Sequence, residues 1–506
     1  MKYGKWFGLF AVALVVAIAS APAFAEVQNV RVGGDLTTYG FIRENLRLSD
    51  DHTNGVGGPT GNTIGSGSDE FAQSHVGLNV SADLTDNVSA DVRLLHQRVW
   101  GSHSSDATDA ASGNPDQVDV ASAFVTLEEF LYAPLTLKIG RQPLWYGKGF
   151  IVGGRLLAGD VDPEQNLASD EVSGHNGFDA IRATLDAPAG VEGITVDGLY
   201  AQVSENVVSA NDDVKLYGVN VGWKGDASNA EAEVYYFLKR DNDRAALPSR
   251  DEGKGSVSTL GIRGSGEPVT NIMTWGELAM QFGKRANTPN ALSPAGSKAE
   301  GTDHFIDAEG VAGDSQQAWA VDVGVDYAMP DTTWTPKFGG EWIFYSGKET
   351  NSSPTGVLSV GAPGGAIAGW DPIFRGKFDT VLREFQAIGY YLPTQSGNSS
   401  GGQFGTMTNS STNQHQLALH ATINPLDALS VDNRWTWFIA DKGYIAKAGN
   451  ERKHFIGTEW DLNMRYAYSE DVSLGLIYGV FWPGAVFQAP FDNIAQELVT
   501  SLKVTF

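Results

Sequence analysis

The chain of 506 residues has no cysteine and carries 35 lysines and arginines against 60 aspartates and glutamates, a formal charge of −25. Disulfides and thiolate metal sites are thereby excluded, and so acidic a chain lacks the basic footprint that nucleic acid requires. Glycine, at 60 residues about 12% of the chain where about 7% is usual, suits turns and sheet, and beyond residue 25 no run approaches the roughly 18 apolar residues of a membrane-crossing helix.

At the start, Lys2 and Lys5 precede an apolar run from Phe7 to Ile18 and a small-x-small site at Ala23-Phe24-Ala25. This pattern predicts a secretory signal peptide over residues 1–25 and a mature chain from Glu26. From Phe71 to Leu84 the side chains alternate: Val76, Leu78, Val80, Ala82 and Leu84 share one face, and Gln73, His75, Gly77, Asn79 and Ser81 the other. After Thr85-Asp86-Asn87 the alternation restarts, with Val88, Ala90, Val92 and Leu94 opposite Ser89, Asp91, Arg93 and Gln97, which predicts a hairpin. Near the C-terminus Ile456, Trp460, Leu462, Met464 and Tyr466 alternate with Gly457, Glu459, Asp461, Asn463 and Arg465. Aromatic residues crowd the ends of such segments (Tyr217 and Trp223, Trp319 and Tyr327, Tyr466 and Tyr468), as in the two interfacial girdles of a membrane barrel.

About eighteen such segments are legible. Short connections (Thr85 to Asn87, Glu128 to Pro134, Asp186 to Gly193, Lys224 to Asn229, Ser265 to Thr270, Ala328 to Trp334, Asn424 to Ala428, Ser469 to Asp471) alternate with mostly long ones rich in Gly, Ser, Asn and Asp. A sandwich has no reason to obey that parity, whereas an up-and-down barrel with one rim in the periplasm does. The expected fold is all-β: a single closed antiparallel transmembrane β-barrel over residues 26–506, with short periplasmic turns, long extracellular loops and a long insertion at about 347–413. That insertion holds an apolar patch (Ile373, Phe374, Phe378, Val381, Leu382, Phe385) predicted to fold inward or over the mouth. The ending Leu502-Lys503-Val504-Thr505-Phe506 resembles the signal by which outer-membrane barrels are recognised for assembly.

Three stretches carry a family likeness: Leu137-Lys138-Ile139-Gly140-Arg141-Gln142-Pro143-Leu144-Trp145-Tyr146-Gly147; Gly177-Phe178-Asp179-Ala180-Ile181-Arg182; and Gly457-Thr458-Glu459-Trp460-Asp461-Leu462 running to Tyr478-Gly479-Val480-Phe481-Trp482-Pro483-Gly484. With them the chain resembles the alginate export family of bacterial outer-membrane barrels. The resemblance implies a monomeric passive conduit whose lumen, rich in arginine and lysine, passes an anionic polyuronate.

On the polar strand faces stand nine bases (Arg43, Arg47, Arg93, Lys138, Arg182, Arg263, Lys337, Arg434, Arg465) and ten acids (Asp91, Glu231, Glu233, Glu277, Asp322, Asp326, Glu341, Asp432, Glu459, Asp461), a nearly balanced set that departs from the cationic lining. Two arrangements are open: cross-strand ladders of opposite charge, or a basic constriction of Arg43, Arg47, Arg93, Arg182, Arg434 and Arg465 partly screened by Glu459 and Asp461. Asp91 and Asp322 complete the candidate acidic lining. Strict alternation aims Arg141 at lipid, which at bilayer midplane costs roughly 2 to 4 kcal/mol. Either Gly140 marks a bulge that turns Arg141 into the pore or Arg141 sits at the rim; the resemblance favours the bulge, and Arg141 is placed with the pore-lining bases.

No catalytic residue, metal or cofactor is expected. Gly397-Asn398-Ser399-Ser400-Gly401 has the spacing of a nucleophile elbow without its strand and helix. Asp160-Val161-Asp162-Pro163-Glu164 and Asp241-Asn242-Asp243 lack the full spacing of a calcium loop. The expected partners are outer-membrane lipid and lipopolysaccharide, a hydrophilic solute or polysaccharide, and the barrel assembly machinery through Phe506, with no nucleic acid. The function expected is a porin-like passive channel for hydrophilic solutes, anionic saccharides being one candidate class, in the bacterial outer membrane. The alternatives are a sheath around a periplasmic or electron-transfer partner and an outer-membrane hydrolase.

Overall fold

The computed structural model describes residues 29–46, 48, 68–101, 118–131, 134–153, 172, 174, 177–187, 191–204, 213–225, 227–241, 255–284, 315–347, 351–352, 358–359, 367–383, 412–445, 452–487 and 492–506. The signal segment 1–25, Arg47, Asp160–Glu164, Asn242, Asp243 and Gly397–Gly401 lie outside these. Among the described residues eighteen long strands form one sheet. They are β1 (Asn29–Glu44), β2 (Ser68–Thr85), β3 (Val88–Val99), β4 (Asp119–Leu127), β5 (Leu135–Pro143), β6 (Gly177–Asp186), β7 (Ile194–Ser204), β8 (Val214–Gly225) and β9 (Ala230–Asp241). The second half comprises β10 (Gly255–Val269), β11 (Ile272–Lys284), β12 (Ser315–Ala328), β13 (Lys337–Tyr345), β14 (Gln414–Leu426), β15 (Leu429–Ile445), β16 (Arg452–Ala467), β17 (Val472–Pro483) and β18 (Ala495–Thr505).

Each strand pairs antiparallel with its sequence neighbours, and β1 closes on β18 from Asp35 opposite Thr505 to Glu44 opposite Gln496. The barrel is therefore sealed, and no strand edge is left to aggregate. Phe506 extends the seam, accepting from the Gly34 N–H at 2.8 Å and donating its own to Gly34 at 3.0 Å. The short connections fall where loop parity predicts them, at one rim. The other rim carries the long ones, apart from the brief 446–451 link between β15 and β16.

Burial is inverted relative to a soluble protein. Val32 is 65% exposed and Leu419 60%, whereas Asp322 is 1% and Glu459 0% exposed. Period two explains this: the apolar half of each strand points out of the barrel and the polar half in. Exposed Trp223, Trp319, Tyr327, Tyr466 and Tyr468 stand on the outer face near the strand ends, where amphipathic rings suit a membrane interface.

Candidate functional site: two loops inside the barrel

Residues 144–153 after β5 and 367–383 after β13, described parts of two long connections, lie inside the lumen, and local sequence explains their placement. In β5, Gly140 has φ +124°, and a Cβ there would strike the Ala123 carbonyl of β4. Only glycine tolerates that conformation. Two residues on, the buried Gln142 donates through Nε2 to the carbonyls of Lys138 at 3.2 Å, Gly140 at 3.3 Å and Ala180 at 3.1 Å. The Gly-Arg-Gln stretch is thus a pinch in the strand, locked by its own glutamine. Beyond it Leu144, Tyr146, Phe150, Ile151 and Val152 are buried inside the barrel.

Residues 367–383, from the insertion after β13, pack against that first loop. The Gly153 N–H donates to the Phe374 carbonyl at 2.8 Å, the Phe374 N–H to Ile151 at 3.2 Å, and the N–H groups of Gly376 and Lys377 to Gly149 at 2.8 and 3.1 Å. A Cβ on Gly376 would collide with the Gly153 backbone, so this approach requires glycine. Trp370, Ile373 and Phe374 join the first loop and the inner faces of β6–β8 in one apolar cluster. Of the patch read from sequence, Ile373, Phe374, Val381 and Leu382 fold inward, Leu382 in a second cluster beside Phe438 and Phe481, while Phe385 lies outside the described residues.

Polar anchors fix the depth of this second loop. Gln281 of β11 donates to the Asp371 carbonyl at 2.6 Å and accepts from the Asp371 N–H at 2.9 Å, and Gln316 of β12 donates to the Gly369 carbonyl at 3.1 Å. Deeper, Lys377 Nζ lies 2.7 Å from Asp322 Oδ2 and 3.1 Å from Asp379, and donates to Glu341 Oε1, whose other oxygen accepts from Arg434 at 2.6 Å. Glu459 accepts the backbone N–H groups of Leu382 at 2.5 Å and Arg383 at 2.9 Å. Burial alone would lower the Lys377 pKa, but Asp379, Glu341 and Asp322 hold it well above the ordinary lysine value.

The other sequence-predicted lining residues sit on separate staves. Arg43 lies 2.5 Å from Glu497 and beside the stacked rings of Phe41 and Phe71, 4.9 Å from each centroid. Arg93 reaches Asp35 at 2.8 Å, and Arg182 grips Asp197 at 3.0 and 2.7 Å. Asp91 accepts from Ser81 at 2.6 Å, and Asp461 faces Arg434 across the β15–β16 pair. Arg465 is exposed near the end of β16, opposite Ser430 and Gly475. The arrangement is that of charge ladders, with Arg434, Asp322, Glu459 and Asp461 gathered around the second loop.

Arg141 is the correction. The registers β4–β5 and β5–β6 run unbroken through it, Ala123 to Arg141 to Asp179, so Gly140 makes no bulge. Arg141 keeps the outward parity of Ile139 and sits at the rim, its Nε and Nη2 on Asp179 at 2.8 and 3.0 Å. The irregularity lies instead in β4, where the pairing with β3 shifts between Arg93 and Leu94.

Sequence reading missed Asp35, Asp197 and Glu497 as partners, although their inward parity was available. It also missed Lys377 and Lys148, which no parity could place. Lys148 Nζ stands 3.2 Å from the centroid of the Trp275 ring, whose Nε1 donates to Asp322 at 3.1 Å. Burial first, then Lys377, lower the Lys148 pKa to about 8, against the opposing carboxylates of Asp322, Glu341 and Asp379. A solute passing these groups could exchange hydration for carboxylate, ammonium, guanidinium and amide contacts in turn.

Comparison with solved structures finds the same fold at low sequence identity. OccK9 (OpdG) of Pseudomonas aeruginosa matches with a TM-score of 0.51 at 10% identity, over 95% of this chain and 99% of that one. OccAB4 of Acinetobacter baumannii matches with a TM-score of 0.50 at 10% identity, over 96% and 100%. No curated protein matches in sequence. The family model described as alginate export matches residues 60–363, more than half of the chain. With its sealed barrel and lipid-facing wall, this chain belongs to the alginate export family and is a protein of the bacterial outer membrane.

Proposed function

We propose that the protein is a porin-like passive channel for hydrophilic solutes, with acidic saccharides, the class the family's description points to, among them. The observation that carries this reading is the polar, charge-paired inner wall crossed by two loops, the second held on the Gln281, Glu341 and Glu459 anchors and the first bonded to it. Such loops narrow a water-filled barrel and put ionic and amide groups in the path, which favours small hydrated solutes. They weigh against a sheath around a protein partner, which needs a wide bore.

The test is reconstitution of the purified barrel in planar bilayers. Discrete conductance steps are expected, along with transient current blocks by short uronate oligomers. Converting Arg93, Arg182, Arg434 and Arg465 to Ser should shift the reversal potential toward cations, because Asp35, Asp197 and Glu341 remain. A silent membrane would overturn the channel, and indifference to uronate oligomers would overturn the acidic-saccharide part.

A further inference from the structure

The outer wall carries a charge pattern that the lumen does not explain. At the extracellular strand ends one continuous rung can be followed through the register. It runs from Arg141 of β5 to Asp179 of β6, Gln202 of β7, Lys215 of β8, Arg240 of β9, Ser256 of β10 and Lys284 of β11. These residues share the parity of the exposed apolar side chains on their own strands, such as Ile181 and Phe282, so they leave the barrel on its membrane side. Two residues deeper the same strands present Tyr200, Tyr217, Leu238 and Phe282. The Tyr200 and Tyr217 rings are 5.4 Å apart, and the Arg240 guanidinium lies 5.6 Å from the Tyr217 ring. The rung is therefore a row of polar groups immediately outside an aromatic girdle, the level at which lipid headgroups lie.

Its composition runs against the chain. In a protein of net charge −25 the rung holds four cations, Arg141, Lys215, Arg240 and Lys284, with Asp179 beside the first and Asp213 2.6 Å from the second. Lys215 and Arg240 are directly opposed across β8 and β9, a placement of like charges that Asp213, beside Lys215, offsets only in part and that a further anion would relieve. At the extracellular ends of β13–β15 the outward positions are instead Phe344, His415 and Ile439, and on β16 Phe455 with the single cation Lys453 beyond it, so the longest cationic row lies on the β5–β11 side of the wall.

We infer that the row from Arg141 to Lys284 binds the phosphate groups of the anionic glycolipid of the outer leaflet, lipopolysaccharide. Guanidinium and ammonium groups at this depth meet phosphate without leaving the interface, and the tyrosines beneath offer rings for the first acyl carbons. The inference does not depend on what passes through the lumen.

The test uses the full barrel purified in detergent free of lipopolysaccharide, with thermal unfolding followed by circular dichroism. Added lipopolysaccharide is expected to raise the midpoint by several degrees, and its dephosphorylated form and inorganic phosphate are not. The shift should vanish in the Lys215→Gln, Arg240→Gln, Lys284→Gln triple variant, fall in Arg240→Gln alone and persist in Arg240→Lys. An undiminished shift in both glutamine variants would overturn the site. Inorganic phosphate reproducing the full shift would overturn the lipid as its occupant.

Discussion

The lumen and the outer rim solve the same problem, that of holding cations at a membrane, in opposite ways. Inside, Arg43, Arg93, Arg182, Arg434 and Lys377 each lie within 2.8 Å of a carboxylate supplied by another strand. Outside, Arg141 and Lys215 have Asp179 and Asp213 beside them, yet Lys215 also faces Arg240 across the sheet. Arg43, Lys377 and Arg434 are largely buried and have little water to solvate them, so their counter-charges must be part of the fold. At the rim, water and headgroups are at hand and the counter-charge can be borrowed. Charge pairing therefore reports the solvent each face was built for.

The sharpest way to break this comparison is to strip a built-in counter-charge from the lumen. Glu341→Ala leaves Lys377 and Arg434 enclosed without it, and should lower unfolding free energy by about 3 to 5 kcal/mol in urea titrations. It should also raise single-channel conductance as residues 367–383 loosen. A loss below ~1 kcal/mol, the range of exposed pairs, would show that the lumen is wetter than the pairing implies. Next in size, Gly140→Ala forces a Cβ onto the Ala123 carbonyl at φ +124° and should cost about 1 to 3 kcal/mol by the same titration.

A third test is pH. With a folded pKa near 8, below the ordinary lysine value, Lys148 is charged at neutrality and loses its proton through that range. Anion preference, read from reversal potentials in a salt gradient, should fall as pH rises from about 7 to 9, and Lys148→Gln should abolish the change. The stability sign is opposite: above pH 8 the folded state holds fewer protons here than the unfolded one, so stability should rise from there up to the ordinary lysine pKa. The smallest effect is expected at the rim. Without lipopolysaccharide, Lys215→Gln should change stability by less than ~1 kcal/mol, since loss of the Asp213 pair offsets relief from Arg240, and with lipopolysaccharide the variant should be the less stable protein.

Much of this was legible beforehand. Alternation placed Arg43, Arg93, Arg182, Arg434, Glu459 and Asp461 on the inner face because a strand residue has only two sides to choose from. Arg141 keeps the outward side that alternation assigns it, against the inward placement that the family likeness implies. Gly140 does adopt a conformation closed to other residues, but it pinches the strand without shifting its register. The Gly-Arg-Gln and Glu-x-Asp stretches stood out in the sequence, yet their work as a strand lock and a loop anchor needed coordinates. Gln142 bonds within its own hairpin, whereas Glu459 meets Leu382, far away along the chain.

By itself, the sequence determined that the chain is a barrel, which rim carries the long loops and which side chains face water, since all three follow from period two and connection length. Only the tertiary structure decided that residues 144–153 and 367–383 meet inside, that Lys377 lies among Asp322, Glu341 and Asp379, and that four distant cations fall on one outer rung. Those are matters of register and loop path, set by cross-strand pairing between segments whose separation along the chain carries no local signal.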